Sequence, residues 1–269
     1  MPIITISRDS YSHGEEIARK VAERLGYACI GPEIIQRACD CMDLSFTAVE
    51  KALNDAPTFL EQLAAQKERC LAMFRAVFFE TMSQGNVVYH GVAGHIFLAD
   101  MPDVVKVRVI ADFDERVREE MRRENLTSVE ARKRLIRKDK ERARWTKQLY
   151  GKDDHDPRLY DLYLNLHRIS IDAAVAIIAG TAQVSTNGHM EMMRSKLKDM
   201  ALAAKTEALL LEVFPEVEAV VREGEVFVSV KGSILQEKLI EEKARKIMAK
   251  MDGVKRVNIG VAPSIYAPF

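Results

Sequence analysis

The chain has 269 residues, enough for a substantial core and more in keeping with two domains than one. Forty basic residues face forty acidic ones, so no global field selects nucleic acid or an anionic membrane. Met1-Pro-Ile-Ile-Thr-Ile lacks the basic stretch of a signal peptide, and the apolar run near Ala173 to Ala179 is too short for a bilayer. Both point to a cytoplasmic protein with reduced cysteines.

In chain order, Ile3-Ile-Thr-Ile-Ser-Arg8 predicts a buried strand. A polar turn follows, then a helix with Ile17, Val21 and Leu25 on one face. Tyr27 to Ile30 predicts a short strand closed by Gly31-Pro32, and Glu33 to Gln84 reads as helical with a break at Pro57. Asn86 to His90 and Val104 to Ala111 are strands. Asp112 to Glu124 is a charged helix, and Thr127-Ser-Val-Glu130 is a capping box opening a helix that runs toward Tyr150-Gly151. Leu159 to Asn165 is expected as a strand and Ser170 to Ala179 as a helix, with linker composition from Thr181 to His189. Apolar strands alternating with helices predict an α/β domain with a parallel sheet. Beyond the linker, a helix from about Glu191 to Val213 precedes a hairpin, Val217–Arg222 and Glu225–Val230, turning at Glu223-Gly224. A helix from Gln236 to Met251 and a strand from Val254 to Val261 complete a small α+β unit in the order α-β-β-α-β.

The strand–turn–helix over the first twenty-five residues is the layout of a phosphate-binding loop, in which backbone N–H groups and a helix N-terminus meet an anion. The P-loop pattern G-x-x-x-x-G-K-[ST] supplies a lysine to the phosphates. Here its last glycine corresponds to Gly14, but Glu15 takes the lysine position and Glu16 the Ser/Thr position. Candidate ligand contacts are therefore Ser10, Tyr11, Ser12, His13, Gly14, Glu15 and Glu16. Tyr11 and His13 stand where smaller residues usually let the backbone wrap a phosphate.

Residues 1–180 resemble the cytidylate kinase-like proteins, a branch of the P-loop nucleoside-monophosphate kinases. The segments that carry the likeness are Ile4-Thr-Ile-Ser-Arg8 with Gly14, Ala111-Asp-Phe-Asp-Glu-Arg116, Asp139-Lys-Glu-Arg142 and Tyr150-Gly-Lys-Asp-Asp-His-Asp-Pro157 with Leu159 to Asn165, in the family's order. Residues 192–269, after a linker at 181–191, resemble a BON-like domain through Glu223 to Gly232 and Met251 to Val257. BON-like modules are small adaptor or ligand-binding units.

The resemblance implies phosphoryl transfer from ATP, with Mg²⁺, to a nucleoside monophosphate such as CMP, which needs cations around the migrating group. It implies that Arg116 contacts the donor nucleotide and that Arg142 clamps phosphates from a lid. Asp139 would orient the acceptor or a neighbouring arginine, and Arg8 would add a charge beside the loop. On residue chemistry alone, Arg116, Arg118, Arg142 and Arg144 read equally as the solvated face of charged helices.

Two departures weigh against turnover. An anion replacing a cation ~4 Å from a phosphate costs about 4 kcal/mol per unit charge at an effective dielectric near 20, although Glu16 has a plainer use in the first turn of a helix. The family also usually places an arginine directly after the glycine that follows the Asn86 to His90 strand, and this chain has Val92. His13, His90 and His95 read as hydrogen-bonded histidines at a pocket mouth. Asp153-Asp-His-Asp156 reads as a solvated loop of turn-forming aspartates, Trp145 as a packing residue, and Cys39-Asp-Cys41 as reduced thiols rather than a metal site. Three readings stay open: an active kinase, a vestigial nucleotide sensor that signals to a protein or small ligand through the BON-like domain, and a structural protein whose first domain binds nothing.

Overall fold

The computed structural model describes residues 2–10, 12–31, 33–40, 61–91, 93–184, 189–249 and 251–263. By contacts the chain divides into two compact units. The first comprises Met1–Glu33, Asn54–Ala56 and Gln84–Met193, and the second Ile34–Leu53, Pro57–Ser83 and Arg194–Phe269. That partition differs from boundaries drawn on composition, because the segment 57–83 groups with the C-terminal residues.

The first unit is built on five parallel strands: β1 (Ile3–Arg8), β2 (Ala28–Ile30), β3 (Val87–His90), β4 (Val104–Ile110) and β5 (Leu162–Asn165), in the order β2-β3-β1-β4-β5. β1 is central and nearly wholly buried, which explains its unbroken Ile-Ile-Thr-Ile run. Helix α1 (Gly14–Leu25) lays Ile17, Ala18, Val21 and Ala22 onto the sheet. It shares that core with Ala174, Val175, Ile178 and Ala182, borne on a later helix, Ile171–Val184. Gly26, at φ 67°, ends α1 in the left-handed conformation that glycine adopts without strain.

The remaining α-helices among the described residues, in order, are α2 (Glu33–Asp40), α3 (Glu61–Met82), α4 (Gly94–Phe97), α5 (Phe113–Glu124), α6 (Ser128–Tyr150), α7 (Ile171–Val184), α8 (Met190–Leu210) and α9 (Glu237–Met248). Asp112 caps α5 by accepting from the N–H groups of Asp114 and Glu115. The Thr127/Glu130 capping box opens α6 as expected, and Gly151 closes it at φ 63°. The expected strand from Leu159 begins three residues later, because Asp156-Pro157 starts a single 3-10 turn over Pro157–Leu159. The helix expected to stop at Ala179 runs on to Val184, so the linker composition from Thr181 starts inside it. Ala182 is buried and keeps that last turn packed. Residues 41–60, including Cys41 and Pro57, lie outside the described residues.

In the second unit, β6 (Val217–Arg222) pairs antiparallel with β7 (Glu225–Gly232), which pairs parallel with β8 (Arg256–Pro263). One face alternates inward through Val226, Val228 and Val230 onto Ile240, Ala244 and Met248 of α9. Arg75 of α3 pairs with Glu207 of α8 at 2.9 Å, and Glu207 also accepts from the Ala219 N–H. No described helix is long and apolar enough to cross a membrane.

Candidate functional site

The loop after β1 is folded back by its own polar atoms. Ser12, fully buried, donates its hydroxyl to the carbonyls of Asp9 (3.0 Å) and Val109 (3.1 Å), which fastens the turn to the end of β4. His13 sits at φ 57° in the left-handed region and precedes α1 without giving it a side-chain cap. The first-turn N–H groups of α1 are therefore left for another acceptor, the arrangement that favours an anion.

Gly14 serves a different purpose from most loop glycines, since its φ is not in the left-handed region. A Cβ built there would stand 2.7 Å from Cδ and 2.8 Å from Cβ of Arg8. Its bareness lets the Arg8 stem lie across the loop. A cavity of about 610 Å³ opens at this point, lined by Ser10 and His13 and by four cationic side chains, Arg8, Arg19, Arg123 and Lys138, against two carboxylates, Glu15 and Glu16. Glu15 pairs with Arg19 (3.0 Å) and Arg8 (4.0 Å). Glu16 pairs with Lys20 (3.4 Å) and His13 (3.4 Å). The anions of the loop are thus neutralised locally, and cations outnumber carboxylates on the cavity wall, with Arg123 and Lys138 also paired behind it to Glu119 and Glu120.

Behind the loop runs a chain of alternating charges. Arg108 of β4 is fully buried and donates to Ser7 Oγ (2.9 Å), Asp154 (2.6 Å) and Asp9 (2.6 Å). Asp9 also faces Arg116 at 3.7 Å. Arg116 in turn donates Nε–H to the Ser10 carbonyl (2.7 Å) and pairs with Asp139 of α6 at 2.6 Å. Tyr160 closes the inner end by donating to Asp154, with His95 Nε2 3.2 Å from its hydroxyl. Burial pulls the His95 imidazole down to about 4, opposed by the Asp154 charge. Burial alone would raise the Asp154 carboxyl, but the Arg108 charge and the hydrogen bonds it receives leave it lowered. Tyr160 is raised by burial and then by Asp154.

The cytidylate kinase-like family matches residues 3–168 of this sequence, more than half of its length. The chain belongs to that family. A cytidylate kinase from Methanopyrus kandleri is 24% identical over 185 residues, covering 65% of this chain and 90% of that protein. Among solved structures, an uncharacterized protein from Eubacterium ventriosum covers 68% of this chain and 99% of its own at 18% identity, with a TM-score of 0.52. TT1252 from Thermus thermophilus covers 68% and 97% at 17% identity, with a TM-score of 0.49. The fold is thus a kinase-like nucleotide-binding one, a parallel five-stranded sheet with flanking helices.

The structure brings Arg8, Ser10, His13, Glu15 and Glu16 to one cavity, with Ser12 and Gly14 shaping its floor. Arg116 is buried and not part of a solvated helix face: it ties the loop to Asp139. Arg142 lies on α6, with its side chain outside the described residues, as are Tyr11, Val92 and the side chains of Trp145 and Cys39. His90 ends β3, buried, with Nδ1 unpartnered among the described residues. Burial and then the Arg8 charge push its pKa down. Asp153 and Asp156 do form turns, accepting from the N–H groups of His155 and Arg158, but Asp154 departs from the solvated-loop expectation because it is buried against Arg108.

Reading the sequence missed Arg108, Glu120 and Lys138. Arg108 alternates with valines in Val-Lys-Val-Arg-Val-Ile, and only its pairing with β1 reveals that it points inward. The spacing of Arg116 and Glu120, four apart on α5, was the one available signal for a second buried charge.

Proposed function

We propose that the chain is a cytidylate kinase-like nucleotide-binding protein, whose family reaction is phosphoryl transfer from ATP to a nucleoside monophosphate. In this chain the carboxylate at the lysine position slows turnover. The observation that carries this is the cavity at the uncapped start of α1, with four cations against two carboxylates. Electrostatic stabilisation is most of what phosphoryl transfer asks of a protein. Magnesium ordinarily takes one or two carboxylates plus phosphate oxygens, and Glu16 with Ser10 on the cavity wall provides a donor set of that kind. Held there by Glu16 and Ser10, Mg²⁺ would supply positive charge to the phosphates.

Glu15 and Glu16 favour a second reading, a non-catalytic nucleotide sensor that signals through residues 192–269 as a BON-like domain. The α-β-β-α-β order from α8 to β8 supports that assignment. Calorimetric titration of MgATP and then CMP, paired with a turnover assay, separates the readings. Binding with turnover supports the kinase, saturable binding without turnover supports the sensor, and no binding refutes both.

A further inference from the structure

The loop has Glu15 where a P-loop has its lysine, and a lysine from another helix lines the same cavity. Lys138, on α6, lines the loop cavity together with Arg8 and Arg19. One helix away, Glu120 of α5 is 0% exposed, and among the described residues neither carboxylate oxygen has a geometrically good hydrogen bond. A carboxylate so placed is costly unless cations surround it. Two do: Arg134 Nε at 3.0 Å and Lys138 Nζ at 3.6 Å, which sit four apart on the same face of α6. Arg116 and Glu120 are likewise four apart on α5 and pair across to Asp139 and to Arg134/Lys138. The two pairs have opposite polarity. Sliding α6 by one turn would set Leu135 or Ala143 against Arg116 and lose the Asp139 pair, so the pairs favour the register that presents Lys138 to the cavity.

We propose that Lys138 is a phosphate-binding residue for a nucleoside di- or triphosphate, taking over the charge of the missing loop lysine, and that Glu120 is the positioning residue that holds it there. This rests on the nucleotide-binding reading above. Lys138 is reached from a helix 124 residues further along the chain than Gly14, so the phosphate site is assembled from two segments and not from the loop alone.

The test titrates MgATP and, separately, inorganic tripolyphosphate into the full chain and five variants. Lys138→Met weakens both by about fivefold, the worth of one half-exposed charge pair, and Lys138→Arg restores them. Glu120→Gln keeps shape and loses charge. If it acts through Lys138, adding Lys138→Met to it weakens binding no further, whereas a merely structural Glu120 gives additive losses. Arg137→Met, on the exposed side of α6 beside Glu141, is the unchanged control. Wild-type binding that Lys138→Met leaves intact overturns this inference and spares the nucleotide reading. Additive losses overturn the role of Glu120. Absence of wild-type binding to both probes overturns the nucleotide reading and this inference with it.

Discussion

Glu15 is the residue whose replacement tests the electrostatics of the loop most directly. Its carboxylate is about half exposed (47%), turned onto Arg19 at 3.0 Å and Arg8 at 4.0 Å. A bound phosphate at the start of α1 would feel Glu15 from farther away than a loop lysine would stand. For one phosphate charge ~7 Å away at an effective dielectric of ~40, between that of a buried site and water, the repulsion is about 1.2 kcal/mol, or about eightfold in Kd. Glu15→Gln removes that charge, and Glu15→Lys, a change of two charges, gains about sixtyfold on the same reckoning. Releasing Arg8 and Arg19 from an exposed pair adds at most about 1 kcal/mol. The assay is calorimetry of MgATP and tripolyphosphate into wild type and both variants, in low salt and again at 1 M, where a Debye length of ~3 Å removes most of the difference. A Glu15→Lys protein that binds no more tightly than wild type refutes the reasoning. So does a gain that survives high salt unchanged.

Other outcomes follow from packing and burial. Gly14→Ala adds a good helix former worth up to ~1 kcal/mol, yet drives a Cβ to 2.7 Å from Arg8 Cδ, so nucleotide affinity falls about tenfold with little change in stability. A variant that is stabilised and binds normally would show that the close approach is dispensable. Arg108→Met strands Asp9 and Asp154 and destabilises by about 3–5 kcal/mol, read as a large fall in Tm. His95 is held near 4 against an ordinary 6.5, so the unfolded chain binds more protons between those values. Its contribution is complete above pH 6.5 and is lost as pH falls toward 4, by about 2 kcal/mol at pH 5. Asp154, itself lowered, steepens the loss further down. His95→Gln therefore narrows the difference in Tm between pH 7.5 and pH 5, and an unchanged difference would place the acid sensitivity elsewhere.

Legibility in this chain followed sequence distance. The Thr127/Glu130 box and the Glu223-Gly224 hairpin turn are local, and each is written within four residues. The parallel order of the sheet was legible as class but not as arrangement: nothing in Val104–Ile110 says that β4 lies against β1 and not β3. The site was half legible for the same reason. Ser10 to Glu16 are contiguous and could be read as a loop, whereas Arg108 and Tyr160 meet Ser7, and Asp154 meets Arg108, only because β1 and β4 pair in register, Ser7 opposite Arg108. Asp154 looked like its turn-forming neighbours because burial, which separates it from Asp153 and Asp156, leaves no mark in Asp-Asp-His-Asp. Arg116 shows the converse case. Composition makes it one cation on a charged helix, and only the carbonyl of Ser10 and the carboxylate of Asp139 give it a different job.

The order of charges from Asp154 through Arg108, Asp9 and Arg116 to Asp139 explains how a loop with two glutamates can keep an anion-binding character. Every carboxylate in that line is held by a cation within 4 Å, so none is left to repel a ligand at full strength. The cations of the cavity come from four places: the end of β1, the body of α1, the last turn of α5 and the middle of α6. A P-loop with its own lysine carries its charge wherever the loop goes. Here two of the four cations, Arg123 and Lys138, ride on helices joined to the loop through Arg116, and the field at the phosphate site rises or falls with their placement. Breaking the Arg116–Asp139 pair with Asp139→Asn should therefore lower nucleotide affinity even though Asp139 is an anion, opposite to the sign expected of a carboxylate that acts on the ligand by simple repulsion. Tighter binding by Asp139→Asn in the same calorimetric assay would mean that the helices carry no part of the field, and that the loop alone decides what binds.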